Sequence, residues 1–329
     1  MAAGRSTAWP PDPKEGAIIP AGCRPFRGKM RRSAVFLLVA FLGTLWGASP
    51  ALPSQLIARD AKDVRLAVDR WGRALVTYRA QGRLHRVLAW GAIDAVLPSS
   101  GRPQARFRLD YAGGWGTFQR PIWKTFPGVC LPYDGPPLAW LVVACKAPDG
   151  SYWALQSWQR LLPNYGLTPA TRLQSAWELR LSHWRGPLPV LEIEVGWAYR
   201  RFHQIYGRLT YRGQPVHGFR STSSGVPLDG HGRNIYLDTL DSSYGPGWRR
   251  ENSFLTHVGT GGFCYGLYPH GDRPPGRGKR YRATVIGPGV TPDVAWEGTG
   301  PEVYDPAFDR AADARLLALL AGDRLCRPR

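Results

Sequence analysis

Residues 64–90 read VRLAVDRWGRALVTYRAQGRLHRVLAW. Apolar and polar side chains alternate through this stretch, and two turn signals interrupt it, Asp69-Arg70-Trp71-Gly72 and Gln81-Gly82. Period-two patterning broken by Gly and Asp predicts a β-meander, because successive strand side chains point to opposite faces of a sheet. RFRLDY (106–111), LAWLVVA (138–144) and SYWALQSW (151–158) extend the pattern into a β domain over residues 52–170. WELRLSHW (177–184), VLEIEVGWAY (190–199), NIYLDT (234–239) and KRYRATVIGPG (279–289), with Gly/Pro turns between them, predict a β-sandwich over 171–304. One helix is expected in the tail, 305–329. Asp305 caps it, Pro306 suits its first turn, and Gly322 sits at its stop. Phe308, Ala312, Leu316 and Leu319/Leu320 fall on one face at helical spacing. The expected fold class is mostly β: a meander or sandwich first, an immunoglobulin- or transthyretin-like sandwich second, and one C-terminal amphipathic helix.

Upstream, Lys29 to Leu52 reads KMRRSAVFLLVAFLGTLWGASPAL. A basic flank, an apolar run from Ala34 to Leu45 and small residues at Ser49-Pro50-Ala51 form the layout of a secretory signal peptide. Residues 1–51 are expected to be removed, leaving Leu52 as the mature N-terminus, and residues 1–29 have the look of a mis-called start before Met30. The alternative is an uncleaved N-terminal anchor, although a spanning helix wants about 20 apolar residues. The expected location is therefore extracytoplasmic or secreted, with membrane contact only where the N-terminal segment is retained.

The chain carries 43 Lys/Arg and 24 Asp/Glu; without residues 1–51 these fall to 36 and 22, a net +14. Nearly all of the positive charge is arginine, which is equally the mark of G+C-rich coding. The arginines are scattered rather than gathered on one helix or stripe, which argues against nucleic acid as the partner. An exported basic chain meets anionic envelope polymers first, so anionic polysaccharide is the expected partner. Cys130, Cys145, Cys264 and Cys326 remain in the mature chain, without the CxxC or His-rich spacing of a zinc site. Four cysteines in an exported chain predict two disulfides. Cys130 and Cys145 flank the Tyr133–Pro137 turn, and Cys326 needs a distant partner, so Cys130–Cys145 and Cys264–Cys326 are the expected pairs.

Three short pieces resemble a known family. Gly213-Gln214-Pro215-Val216-His217-Gly218 is similar to the GxPVxG strand of carboxypeptidase-regulatory-like domains, and Thr256 to Phe263 to their TDxxGxF turn and strand. Tyr281-Arg282-Ala283-Thr284-Val285 resembles their closing Y-x-x-x-V strand. The resemblance spans about residues 190–290, with His257 in the place of an Asp and an insert at 220–252. It implies a small transthyretin-like sandwich serving as an accessory module for folding, attachment or glycan contact, without catalytic residues.

The richest polar cluster is Asp229 to Glu251, DGHGRNIYLDTLDSSYGPGWRRE. Trp248 beside Arg249 and Arg250 pairs a stacking surface with anion-binding guanidinium groups, and these three are the expected ligand contacts. The alternative is a secreted carbohydrate-active hydrolase, with Asp229, Asp238, Asp241 and Glu251 supplying two carboxylates for acid/base work. Cys264 near His257 and His270 offers a thiol nucleophile in principle, but it sits in Gly-Gly-Phe-Cys-Tyr and competes with disulfide formation. No phosphate-cradling loop or dinucleotide fingerprint is present. The chain is therefore read as an exported, non-catalytic binding or structural module of the cell envelope, with no cofactor and no metal expected.

Overall fold

In the computed structural model, the residues described are 54–96, 104–159, 176–217, 234–257, 259–269, 274–323 and 326. The signal-like segment, Asp229, His231 and His270 lie outside them. In chain order the first strands are β1 (Gln55–Arg59), β2 (Lys62–Val68), β3 (Ala74–Ala80), β4 (Arg83–Trp90), β5 (Arg108–Asp110), β6 (Leu141–Lys146), β7 (Tyr152–Gln159) and β8 (Trp177–Trp184). They form two antiparallel sheets, β2-β3-β4-β5 and β1-β8-β7-β6. The meander read from residues 64–90 is three of these strands in register. Its first turn is tied by Asp69, whose carboxylate accepts the Trp71 and Arg73 backbone N–H groups and the Arg73 guanidinium. Val68, Val76, Val87, Trp153, Leu155 and Leu181 fill the space between the sheets, so the predicted alternation becomes the core of a sandwich.

The second set is β9 (Val190–Ala198), β10 (Phe202–Tyr211), β11 (Gln214–Pro215), β12 (Ile235–Ser242), β13 (Gly245–Phe254), β14 (Gly262–Gly266), β15 (Arg280–Val285) and β16 (Val294–Thr299). One sheet joins β9, β10, β11 and β14; the other runs β13-β12-β15-β16. Ile205, Leu209, Leu237, Phe263, Tyr281 and Val285 pack between them. The chain is thus mostly β, with four antiparallel sheets and one C-terminal helix, as the patterning predicts. β8 lies in a first-half sheet, although residues 177–184 were expected in the second sandwich, beyond residue 170. The described residues belong to one compact unit.

A buried polar knot ties the halves together. Asp293, just before β16, accepts the Trp158 indole N–H, the Gly287 N–H and the Ser54 hydroxyl, and lies 3.4 Å from the fully buried Arg180. Its backbone exchanges hydrogen bonds with the Gln156 amide. A buried charge is tolerable only when paired and hydrogen-bonded like this.

Two departures from the sequence reading have physical causes. Residues 245–254, to which the sequence reading assigned no strand, form a full strand because they pair with β12 along its length. The helix spans Pro306–Leu319 and is capped as expected, with Asp305 accepting from Ala307 N–H. Its apolar face is shorter than predicted. Leu316 and Leu320 pack on Tyr206 and Cys326, whereas Phe308 is 65% exposed. The helix comes in close at Gly196, where a Cβ would stand 2.6 Å from Leu316 Cδ1.

Candidate functional site

The charges of the 234–251 segment form a ladder across one sheet. Asp238 on β12 stands directly opposite Arg250 on β13 and Arg282 on β15, and Arg282 stands opposite Glu297 on β16. Asp238 accepts from both guanidinium groups, and Arg250 also donates to the Gln159 carbonyl. The Arg282 guanidinium lies 4.8 Å from the Trp140 ring centre and 4.2 Å from that of Trp248. The structure therefore brings together Asp238, Trp248 and Arg250 of the expected site residues and adds Arg282 and Trp140, which sequence reasoning missed. What it builds is largely closed. Arg250 is 4% exposed, and the Trp248 ring already holds a protein cation.

The other candidate carboxylates do not join this group. Asp238 shares a face of β12 with Tyr236, opposite the core residues Ile235 and Leu237. Glu251 is buried towards the core, accepting the hydroxyls of Tyr244 and of Tyr265 on β14. Asp241 sits at an exposed turn, accepting the Gly247 N–H and pairing with Lys279; these contacts lower its pKa. Arg249 is half-buried on β13.

Both disulfides join the expected partners, Cys130–Cys145 and Cys264–Cys326. His257 Nδ1 lies 2.6 Å from Asp323 and 3.9 Å from Cys326 Sγ. These three offer metal-ligand atoms within 4.8 Å of one another, but the sulfur is committed to Cys264 and Asp323 also accepts from Thr260. The arrangement fixes the tail after the helix onto the sheet.

The open site lies on the outer face of the β9-β10-β14 sheet, where the helix roofs it. Strand alternation sends Ile205 and Phe263 into the core and leaves Gln204, Tyr206 and Cys264 on the opposite face. With Trp197, Tyr268 and Tyr304 they line a cleft of about 530 Å³. Arg310 and Asp313 enter it from the helix and Tyr199 and Arg200 from the β9–β10 turn. The rings meet edge to face, Trp197 with Tyr304 at 6.0 Å and Tyr199 with Tyr268 at 6.2 Å. Burial, with Asp313 and Tyr268 nearby, pushes the Tyr206 phenol up to about 12. Burial and the neighbouring Asp309 raise the Asp313 carboxyl above its ordinary value.

The turn at the mouth is the unusual part. Tyr199 and Arg200 both have positive φ, 52° and 57°, and Arg201 N–H donates to Ala198 O. Two other hairpins repeat this φ signature, at Gln81-Gly82 and Arg212-Gly213, and both place glycine second. Here the second position carries an arginine, and Tyr199 is 74% exposed. Among the described residues, Arg200, Arg201 and Arg310 have no carboxylate partner within salt-bridge distance, unlike Arg180, Arg250 and Arg282. Aromatics and unpaired arginines scattered over 197–310 leave no local motif, so the cleft was not legible in the sequence.

No protein-family model matches the chain, and neither the curated proteins nor the solved structures include one significantly similar to it.

Proposed function

We propose that the chain is an exported, non-catalytic binding module of the cell envelope, and that its cleft holds a segment of anionic polysaccharide. The observation that carries this reading is the Tyr199-Arg200 turn. A side-chain-bearing residue in the left-handed region costs of order 1 kcal/mol, and such strain collects where a side chain must be presented rather than packed. Here it holds a phenol ring and a guanidinium at the rim of an aromatic cleft. Ring faces stack on the apolar faces of sugars, and unpaired guanidinium groups pair with carboxylate or phosphate on the polymer.

Two disulfides fit an oxidising compartment, and among the described residues no helix is long and apolar enough to cross a membrane. A hydrolase built on Asp238 has less support, because both of its oxygens are occupied by arginine.

The test is retention of Leu52–Arg329 on purified anionic wall polysaccharide across a salt series, beside Tyr199→Ala/Arg200→Ala. Binding should be strong at low salt, weaken as exposed charges are screened, and fall at least tenfold in the double variant. No binding at low salt, or equal binding by the variant, removes the reading. Release of reducing ends that is lost in Asp238→Asn would replace it with the enzyme.

A further inference from the structure

The outer face of the first sandwich carries a second basic and aromatic surface, far richer in cations than the cleft. Residues 62–124 contain twelve Lys/Arg against four Asp and no Glu. Asp110 is buried against turn N–H groups, Asp69 is buried and takes Arg73 besides its turn N–H groups, Asp63 pairs with Arg79, and Asp94 pairs with Arg212. That leaves Arg65, Arg70, Arg86 and Lys124 without a carboxylate partner among the described residues. In β2, β3 and β4 the alternation that buries Val68, Val76 and Val87 turns Arg65, Thr77, Arg79 and Arg86 outward, around an open hollow.

Aromatic rings stand at the tips beside it. Trp71, on the β2–β3 turn, is 60% exposed, with the Arg70 guanidinium 4.4 Å and that of Arg73 5.0 Å from its ring centre. Arg73 also reaches Phe118, 5.8 Å away, which lies in the same short helical turn as Trp115, itself 55% exposed. Arg86 lies 3.9 Å over Trp123, with Lys124 at 5.6 Å.

We infer that this face docks onto an anionic phospholipid surface. Tryptophans at turn tips suit the headgroup level, where an indole is half wet and half apolar, while arginine stems lie along apolar surface and their heads pair with phosphate. Phospholipid fits better than a wall polymer because this face is open, and among the described residues Thr77 is the only neutral polar side chain lining its hollow that can read sugar hydroxyls. The contact is independent of the N-terminal apolar segment and of the proposed cleft function.

The experiment uses Leu52–Arg329, which lacks that segment, in co-sedimentation with vesicles. One set is phosphatidylcholine alone, and the other is phosphatidylcholine mixed with phosphatidylglycerol. Binding is expected only to the mixed vesicles and should fall as salt rises. Arg65→Gln/Arg70→Gln/Lys124→Gln should weaken it roughly fivefold per charge. Trp71→Ala/Trp115→Ala should lower it at least tenfold at every salt concentration, with circular dichroism unchanged. Tyr199→Ala/Arg200→Ala should leave it as it was, so the two proposals fail separately. No sedimentation with anionic vesicles at low salt overturns the inference. So does unchanged binding in either face variant, or loss of polysaccharide rather than vesicle binding in the charge variant.

Discussion

The Asp238 ladder and the Tyr199 cleft use the same residue types to opposite ends. In the ladder, Arg250 and Arg282 stand in register with Asp238, and Arg282 lies between two tryptophans. In the cleft, Arg200 and Arg310 share a hollow with four tyrosines and a tryptophan and have no such registered acid. A Trp-Arg-Arg run in sequence therefore does not by itself mark a binding surface. Strand register decides whether its charges are answered inside the fold or left for a ligand.

The sharpest way to break this contrast is to remove the ladder's acid. Asp238→Ala leaves Arg250 buried without its carboxylate, and loss of one partner of a buried pair costs about 3–5 kcal/mol. Urea unfolding should show that loss, while polysaccharide binding per folded molecule stays constant. A variant of native stability, or one that folds and no longer binds, would merge the two regions into one site.

The disulfide at the cleft should couple both properties. Cys264–Cys326 closes a loop of 62 residues and joins the helix tail to β14. Cys264→Ser/Cys326→Ser is expected to lower stability by about 4 kcal/mol on the chain-entropy estimate and to loosen the helix that roofs the cleft. Binding should weaken together with stability. Native affinity in the variant would mean that the helix does not shape the site.

Titration separates the closed from the open. His183 is stacked 3.9 Å from Trp153 and hydrogen-bonded to Ala92 O and Ser151 Oγ, and its burial depresses the pKa to about 4. The unfolded chain then takes up the proton first, near pH 6.5. Stability is full above that and should fall by ~3 kcal/mol as pH drops towards 4, with His183→Asn flattening the slope. Asp313 in the cleft acts in the other direction, on binding. Its raised pKa lets it lose its negative charge before ordinary carboxylates do, so anionic polymer should bind more tightly on mild acidification. Asp313→Asn should remove that rise.

How much of this was legible follows from range. The meander, the Cys130–Cys145 disulfide and the helix cap rest on local signals: alternation, a turn between the two cysteines, and an Asp-Pro pair at 305–306; Cys264–Cys326 followed only by elimination among four cysteines. The helix face was overextended to Phe308 because periodicity does not say where a neighbouring sheet ends. β1 and β16 went unread; both are short, and β16 is only half-buried. The ladder and the cleft depend on pairings between residues well separated in the chain, and period-two patterning fixes the face a residue takes but not which residue of a partner strand stands opposite it.

The smallest effect expected is the most telling. Replacing Tyr199-Arg200 by Asn-Gly gives the mouth turn the residues that positive φ at both central positions favours, and matches the Gly82 and Gly213 hairpins of the same chain. If the native pair is kept for what it presents, the swap should stabilise the protein by about 1 kcal/mol. Relief of two left-handed residues outweighs the lost edge contact between Tyr199 and Tyr268. At the same time binding to anionic polysaccharide should drop at least tenfold. A gain in stability with a loss of binding is the signature of strain held for function. A loss of stability would show instead that Tyr199 packs the turn, and unchanged binding would leave the turn without a role at the cleft.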